Sequence, residues 1–433
     1  MRIVLVGYGT RGDVQPIIAL AKGLRCACHD VTVCAAENFG PWIQSHGVGF
    51  APIHVNVQAM MQSEYGVAWV ESRSYLSQLS VMRRLFEQVG AGVAKDILAA
   101  ASSADLLIGG FTSDCFVGAA AEKQGDAHIN AALQPWYPTT YGPATLVPTR
   151  ARGHSLFNRL SGYMAERSLY NVFGRQMNIL RRSLNLAPLS AQAYYNRVHA
   201  MQVLCGFSEH VVPRPSDWPE NIVVTGYWFL DETAEWQVPF DLARFIDAGE
   251  PPVYIGFGSM STSDTQGKSD TVVRAVRQSG RRAVIARGWA GLANEASSGD
   301  IFILKSAPHG WLFPRMAGVV HHGGAGTTAA AFQAGVPQFV VPHFADQPYW
   351  ARRAYELGVA PKPVDQFKLT AETLTAGIQA VVDDAPLRQK ASALGEAIRA
   401  EDGVKNAVRV IDRWIDQSGR SRGQSGRGTG SDR

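Results

Sequence analysis

Short apolar runs alternate with amphipathic stretches along most of this chain. Ile3–Val6 is a continuous apolar run ending at Gly7, and Gln15–Arg25 follows with helical spacing. Comparable runs return at Val31–Cys34, Asp105–Gly109, Ala127–Ala131, Met201–Cys205 and Ile222–Thr225. Buried runs separated by amphipathic helices predict a parallel sheet covered on both faces. Pro251-Pro252 then breaks the chain and the pattern restarts at Val253–Phe257. Further runs follow at Ala283–Ala286, Ile301–Leu304, Val319–Val320 and Gln338–Val341. The fold class is therefore α/β, with two doubly wound units over residues 1–230 and 253–400. Residues 231–252, with three prolines, read as the linker. Residues 401–417 read as a closing helix packed back toward the first unit. Residues 418–433, rich in Gly, Ser and Arg, read as a disordered tail. Two such units make a cleft, and doubly wound sheets bind ligands beyond their strand C-termini.

Residues 55–100 and 150–200 interrupt the alternation. They read as helices carrying Met60, Met61, Tyr65, Trp69, Tyr75, Leu85 and Phe86, then Phe157, Leu160, Tyr163, Met164, Tyr170 and Phe173. These side chains either fill helix cores or line an apolar pocket, and both readings stay open.

Charge narrows the class of partner. The net charge is +4, and Arg420, Arg422, Arg427 and Arg433 in the tail face only Asp432. The folded part is thus nearly neutral, which argues against nucleic acid as the main partner. The five cysteines, Cys26, Cys28, Cys34, Cys115 and Cys205, fit neither a disulfide framework nor a zinc site. No leading apolar helix and no bilayer-spanning run is visible, so a cytoplasmic location is expected.

Two glycine loops carry the chemistry. Gly7-Tyr8-Gly9-Thr10-Arg11-Gly12 follows the first strand and fits a dinucleotide fingerprint, with Glu37 as a ribose ligand. A pyrophosphate there would meet Asp13 at the same positive helix end, a poor arrangement. Asp13 itself suits that end, as a cap, as a base projecting into the cleft, or as both. His321-His322-Gly323-Gly324-Ala325-Gly326-Thr327-Thr328 is a strand end, a glycine loop and a helix start. Its amides, its hydroxyls and the helix N-terminus suit a diphosphate, and His322 can donate to a phosphate oxygen without a metal. Gly258 and Ser259 belong to a further glycine loop after a strand. Asp346 and Gln347 suit vicinal sugar hydroxyls, with helix capping as the plainer role for Asp346. Gln134 and Trp136 follow the strand ending near Ala131 and are expected at the cleft mouth, where aromatic side chains favour a bulky apolar ligand.

In the order and spacing of these stretches the chain resembles glycosyltransferase family 1. The nearest branch holds the sterol glucosyltransferases and the bacterial enzymes that glycosylate natural products and glycolipids. The resemblance rests on Gly9–Pro16, Gly256–Met260, Ala307–Pro314, His321–Thr328 and Pro342–Gln347. It implies a GT-B fold: two Rossmann-like domains facing across a cleft, acceptor on the first and nucleotide sugar on the second. It implies that His322 holds the α-phosphate, and that Gly324, Ala325, Gly326 and Thr327 form the phosphate loop. Ser306 and Ala307 would flank the base, His309 would lie on the donor side, and Arg11 and Gly12 would lie on the acceptor side. Ser306 stands where plant relatives carry a stacking Trp, so UDP and dTDP both stay open. Ala330 stands where they carry a ribose-binding Glu. Asp13 matches the base proposed for this branch.

The expected function is inverting transfer of a hexose from a UDP- or dTDP-sugar to a hydroxyl of a hydrophobic acceptor such as a sterol, lipid or polyketide. Asp13 would act as general base, with no metal and no cofactor beyond the nucleotide sugar. Peripheral membrane contact stays open. Three other classes remain: a dinucleotide-dependent oxidoreductase, a GT-B nucleotide-sugar epimerase or hydrolase, and an inactive sugar-binding module.

Overall fold

The computed structural model describes residues 1–142, 145, 154–232, 236–258, 264–288 and 299–425, with side chains to Gln417. Seven strands form the first sheet: β1 (Arg2–Gly7), β2 (Asp30–Ala36), β3 (Gly49–Ile53), β4 (Leu106–Gly110), β5 (Ala127–Ala132), β6 (Gln202–Cys205) and β7 (Ile222–Val224). Their spatial order is β3-β2-β1-β4-β5-β6-β7, and every pairing is parallel. Five strands form the second: β8 (Val253–Gly256), β9 (Ala283–Ala286), β10 (Ile301–Leu304), β11 (Gly318–His321) and β12 (Gln338–Val340). Their order is β10-β9-β8-β11-β12, again all parallel. The expected α/β fold with two Rossmann-like lobes is what is found.

Burial explains why these segments became strands. Ile3, Val4, Leu5 and Val6 are all buried, as are Val253, Tyr254 and Ile255. A strand covered by helices on both faces needs apolar side chains in both directions, which is why it reads as a continuous run. The strand order reverses between β1 and β4 in the first lobe and between β8 and β11 in the second. At such a reversal the loops leave to opposite faces and open a crevice at the strand C-termini. The loops after β1 and β4, and after β8 and β11, therefore flank the two crevices.

Three segments differ from the sequence reading. The edge strand β3 carries no clear strand pattern, because Gly49 and Pro52 are poor strand signals and only an edge tolerates such a proline. Residues 231–252 are not a plain linker: Phe240–Asp247 is a helix that buries Leu242 and Ile246 against the second lobe. The tail is the third. The last helix runs from Gly403 to Ser425, eight residues into the stretch read as disordered. Extending a nucleated helix costs far less than starting one, and this one is anchored upstream. Residues 426–433 lie outside the described residues.

That anchor ties the chain end to the first lobe. Ala407, Val408 and Ile411 join the core formed with Ile17, Leu20 and Leu24 of the helix Arg11–Cys26. His29 Nε2 meets Asp412 Oδ1 at 2.9 Å, and Asn406 Nδ2 donates to the Thr225 carbonyl at 3.1 Å. Ile411→Ala should cost about 2–5 kcal/mol by removing a fully buried side chain from this seam. Urea unfolding measures it, and a change under about 0.5 kcal/mol would show that the helix is not part of the folded core.

Candidate functional site

The loops after β1 and β11 end in helix N-termini that face each other. A Cβ placed on Gly326 would lie 3.8 Å from Gly12 Cα, so the starts of Arg11–Cys26 and Ala325–Ala334 nearly touch across the cleft. Each start carries unpaired backbone N–H groups and partial positive charge.

The two ends are treated differently. On the first, Asp13 forms a capping box with Thr10: its Oδ2 accepts from Thr10 N at 2.7 Å and from Thr10 Oγ1 at 3.2 Å. The Asp13 carboxylate folds over the Gly9–Thr10 backbone, the place a pyrophosphate would take in a dinucleotide fold. Glu37, the ribose ligand that reading requires, is exposed. Burial raises the Asp13 pKa above the usual carboxylate range, and the Thr10 bonds oppose it. On the helix Ala325–Ala334, Gly324 is the cap residue, no side chain caps it, and its first turn holds no acidic residue. That end is open to an anion.

The adjacent histidines divide the work. His321 Nδ1 accepts from Gly323 N at 3.0 Å, so its Nε2 carries the proton and donates to Gln338 Oε1 at 2.7 Å. His321 is thus fully engaged in shaping the loop. His322 is buried, and its Nδ1 has no hydrogen-bond partner among the described residues. Its ring lies between two glycines. A Cβ on Gly258, where φ is +64°, would stand 2.7 Å from His322 Cε1, and one on Gly324 would stand 2.5 Å from Nε2. Any side chain at either position displaces the ring. β8 and β11 pair His321 with Gly256, which brings Gly258 to this place.

Four histidines are held neutral here. Burial pushes His309 down to about 3, His321 to about 4 and His343 to about 3, and it pushes His322 well below its ordinary value. The positive character at the His321–Thr328 loop therefore comes from the helix end and amides, not from imidazolium.

Asp346 starts the helix Gln347–Glu356 but makes no side-chain cap. Its Oδ2 instead accepts from Trp350 Nε1 at 2.8 Å. Burial pushes its pKa up to about 6, the Trp350 bond opposes this, and Asp13 across the cleft adds to the rise. Gln347 is buried, and its Oε1 accepts from His343 N at 2.8 Å and Phe344 N at 3.3 Å. Its carbonyl end thus holds the loop.

Other predicted residues land less centrally. Arg11 is exposed and forks onto Glu232 at 2.9 and 2.7 Å, while Trp42 and Gln15 also donate to Glu232. It pins the connection between lobes, a role that no local sequence signal marks. Trp136 does not line the cleft mouth: it is 4% exposed, stacked on Tyr137 at 4.3 Å and edge-on to Phe111 at 5.7 Å. The aromatic run packs against itself, because Tyr195 and Phe111 arrive from other elements. Gln134 is half-buried. Ser306 is exposed, Ala307 and Thr327 are half-buried, and His309 stacks on Phe313. Ser259 lies outside the described residues. All five cysteines are free, with Cys26 and Cys28 exposed. Among the described residues no three His, Cys, Asp or Glu side chains could hold a metal ion.

Comparisons with known proteins agree with this layout. The glycosyltransferase family 28 N-terminal domain matches residues 3–139, and the erythromycin biosynthesis protein CIII-like C-terminal domain matches residues 294–410. A sterol 3-beta-glucosyltransferase of Arabidopsis thaliana is 32% identical over 96% of this chain and 68% of its own length. A second from the same plant is also 32% identical, and the chain spans 65% of its length. The O-mycaminosyltylonolide 6-deoxyallosyltransferase of Streptomyces fradiae is 34% identical over 96% of this chain and 98% of its own. Among solved structures, the glycotransferase of kitacinnamycin superposes with a TM-score of 0.72 at 18% identity, covering 95% of this chain and 98% of that one.

The raised Asp346 pKa has a measurable sign. The folded state holds the proton more tightly than the unfolded chain, so this contribution is full below about pH 4 and is lost as pH rises through about 6. Asp346→Asn removes it. The Tm of the variant relative to wild type should climb between about pH 4 and about pH 7. A pH-independent difference would contradict a raised Asp346 pKa.

Proposed function

The chain belongs to the GT-B glycosyltransferases related to sterol glucosyltransferases and bacterial natural-product sugar transferases, and from this premise we propose that it moves a hexose from a UDP- or dTDP-sugar to a hydroxyl of a hydrophobic acceptor, with inversion and without a metal. One observation carries the reading: two helix N-termini meet across the cleft, one uncapped beside His322 and the other bearing Asp13. The uncapped end suits the diphosphate. Its amides and the neutral His322 would take the charge that grows on the leaving group. The unpaired Nδ1 of His322 gains a partner when a phosphate oxygen arrives.

Asp13 would take the proton of the attacking hydroxyl. A carboxylate at a helix N-terminus is ordinarily a weak base, because the helix end stabilises the anion. Here burial outweighs that effect and raises its basicity. Both Thr10 bonds fall on Oδ2 and neither on Oδ1, which suits Oδ1 to the incoming hydroxyl. Asp346 would then orient the sugar hydroxyls. With the sugar between them, hydroxyl attack from the Asp13 side and departure on the phosphate side give a single displacement.

The acceptor reading rests on the named relatives and on apolar surface beside the first-lobe cleft. Leu156, Leu160 and Met164 are 76%, 58% and 64% exposed on one stripe of the helix Leu156–Ser183, with Arg159 and Arg167 exposed beside them. Asn158 ties this helix start to the Thr140 carbonyl in the loop after β5. Such a stripe supports contact with a lipid surface that presents the acceptor. Among the described residues no helix is long and apolar enough to cross a membrane.

Asp13→Asn should lower kcat by about 10²–10⁴-fold while leaving nucleotide-sugar affinity nearly intact. The acid limb of the wild-type rate profile should lie above the ordinary carboxylate range of about 4, and it should vanish in the variant. Normal turnover by Asp13→Asn would overturn the base assignment. Calorimetry with UDP and dTDP, followed by product mass with sterol and polyketide acceptors, tests the donor and acceptor. Failure of both nucleotides to bind would overturn the donor site.

A further inference from the structure

The donor-side loop Pro342–Gln347 is held by the opposite lobe. Gln366, in the short helix Gln366–Lys368 of the second lobe, is buried. Its Nε2 donates to the Val70 carbonyl of the first lobe at 2.8 Å and approaches the His343 carbonyl at 3.5 Å. One amide group thus spans from the acceptor lobe to the loop that carries Asp346. Next to it, Phe344 inserts into the first lobe's core cluster beside Val70, and its ring lies 4.7 Å from that of Trp69. Arg73 covers the Phe367 ring at 4.6 Å, and Glu71 attracts Lys268 electrostatically. Trp69, Val70, Glu71 and Arg73 thus each act on the second lobe: Trp69 touches the Asp346 loop itself, and Val70 reaches it through Gln366.

The loop needs that support. Ala345 sits at φ +54°, a conformation unfavourable for a residue with a side chain. It falls between Phe344, which is gripped by the first lobe, and Asp346, whose carboxylate is held by Trp350. Gln347 fixes the amides of His343 and Phe344 from below. Release of Phe344 would free the backbone at Ala345 to relax and carry Asp346 away. The phosphate loop is built otherwise: His321, Gly323 and Gln338 hold it within the second lobe.

We propose that Trp69, Val70, Phe344 and Gln366 form an interlobe latch that positions Asp346 for the sugar of the donor, while the nucleoside diphosphate is gripped independently of it. These are positioning residues, acting through the loop rather than on the sugar. The consequence is a division of donor recognition. The nucleotide binds to the second lobe alone, but the sugar is read only when the acceptor lobe is seated against it. Sugar recognition thereby depends on the lobe that takes the acceptor.

The proposal rests on the donor reading above, and one set of measurements separates the two. Gln366→Met keeps the side-chain length and removes the bridge. Trp69→Ala removes the ring contact, and Trp69→Phe retains a ring. For the first two, KM for UDP-glucose or dTDP-glucose, whichever the wild type turns over, should rise about tenfold. The Kd for the matching nucleoside diphosphate should change less than about twofold. Trp69→Phe should recover most of the loss. If sugar-nucleotide KM and diphosphate Kd rise together, or if neither moves, the latch is wrong. If Gln366→Met does not fold, the Trp69 pair decides alone. A wild-type chain that binds neither diphosphate overturns the donor reading instead.

Discussion

Two positive helix ends pointed at one another across a cleft set the terms for this molecule. Each leaves backbone N–H groups unpaired, and their proximity makes the space between them favourable for negative charge. The chain resolves one end internally by folding Asp13 back onto Thr10. It leaves the other without a side-chain cap. A carboxylate already occupies the closed end, and the open end is left free for an anion within the same field.

Burial decides how that field is used. Four histidines clustered around the His321–Thr328 loop could have supplied protonated cations. Instead each is pushed far below neutral pH by desolvation. Fixed dipoles need no proton uptake and little reorganisation when charge develops. The same burial acts oppositely on the carboxyls, raising Asp13 and bringing Asp346 to about 6. Neutral imidazoles, a more basic Asp13 and an Asp346 that binds its proton more tightly than a free carboxyl are thus consequences of one low-dielectric cleft.

The lobes are joined at more than their connection. Glu232 gathers Arg11, Gln15 and Trp42 at the chain crossing, and the last helix returns to the first lobe's core. The seam at Trp69–Arg73 adds contacts close to Asp346. A cleft whose walls are tied at both ends can hold its groups in register.

The strands of both sheets, the edge strand β3 apart, were written into the sequence, because a doubly covered parallel strand must be apolar in both directions. The glycine loops were legible for a related reason: anion-binding turns need residues that let backbone amides approach. β3 and the Phe240–Asp247 helix escaped notice, since a glycine–proline edge strand and a proline-flanked helix carry weak local patterns. Chemistry at single residues was less legible. The sequence singles out His322 but gives His321 no role; the pairing of β11 with β12, which brings Gln338 to His321, makes that ring the loop-shaping one and leaves His322 Nδ1 unpaired. Trp136 looked like a pocket residue until Phe111, Tyr137 and Tyr195 enclosed it. The sequence by itself determined which elements form and which loops can meet an anion, because those depend on neighbouring residues. Which side chains are buried, which carboxyls have raised pKa values and which residues of one lobe touch the other were decided by tertiary structure. Desolvation and long-range contact exist only once distant segments are brought together.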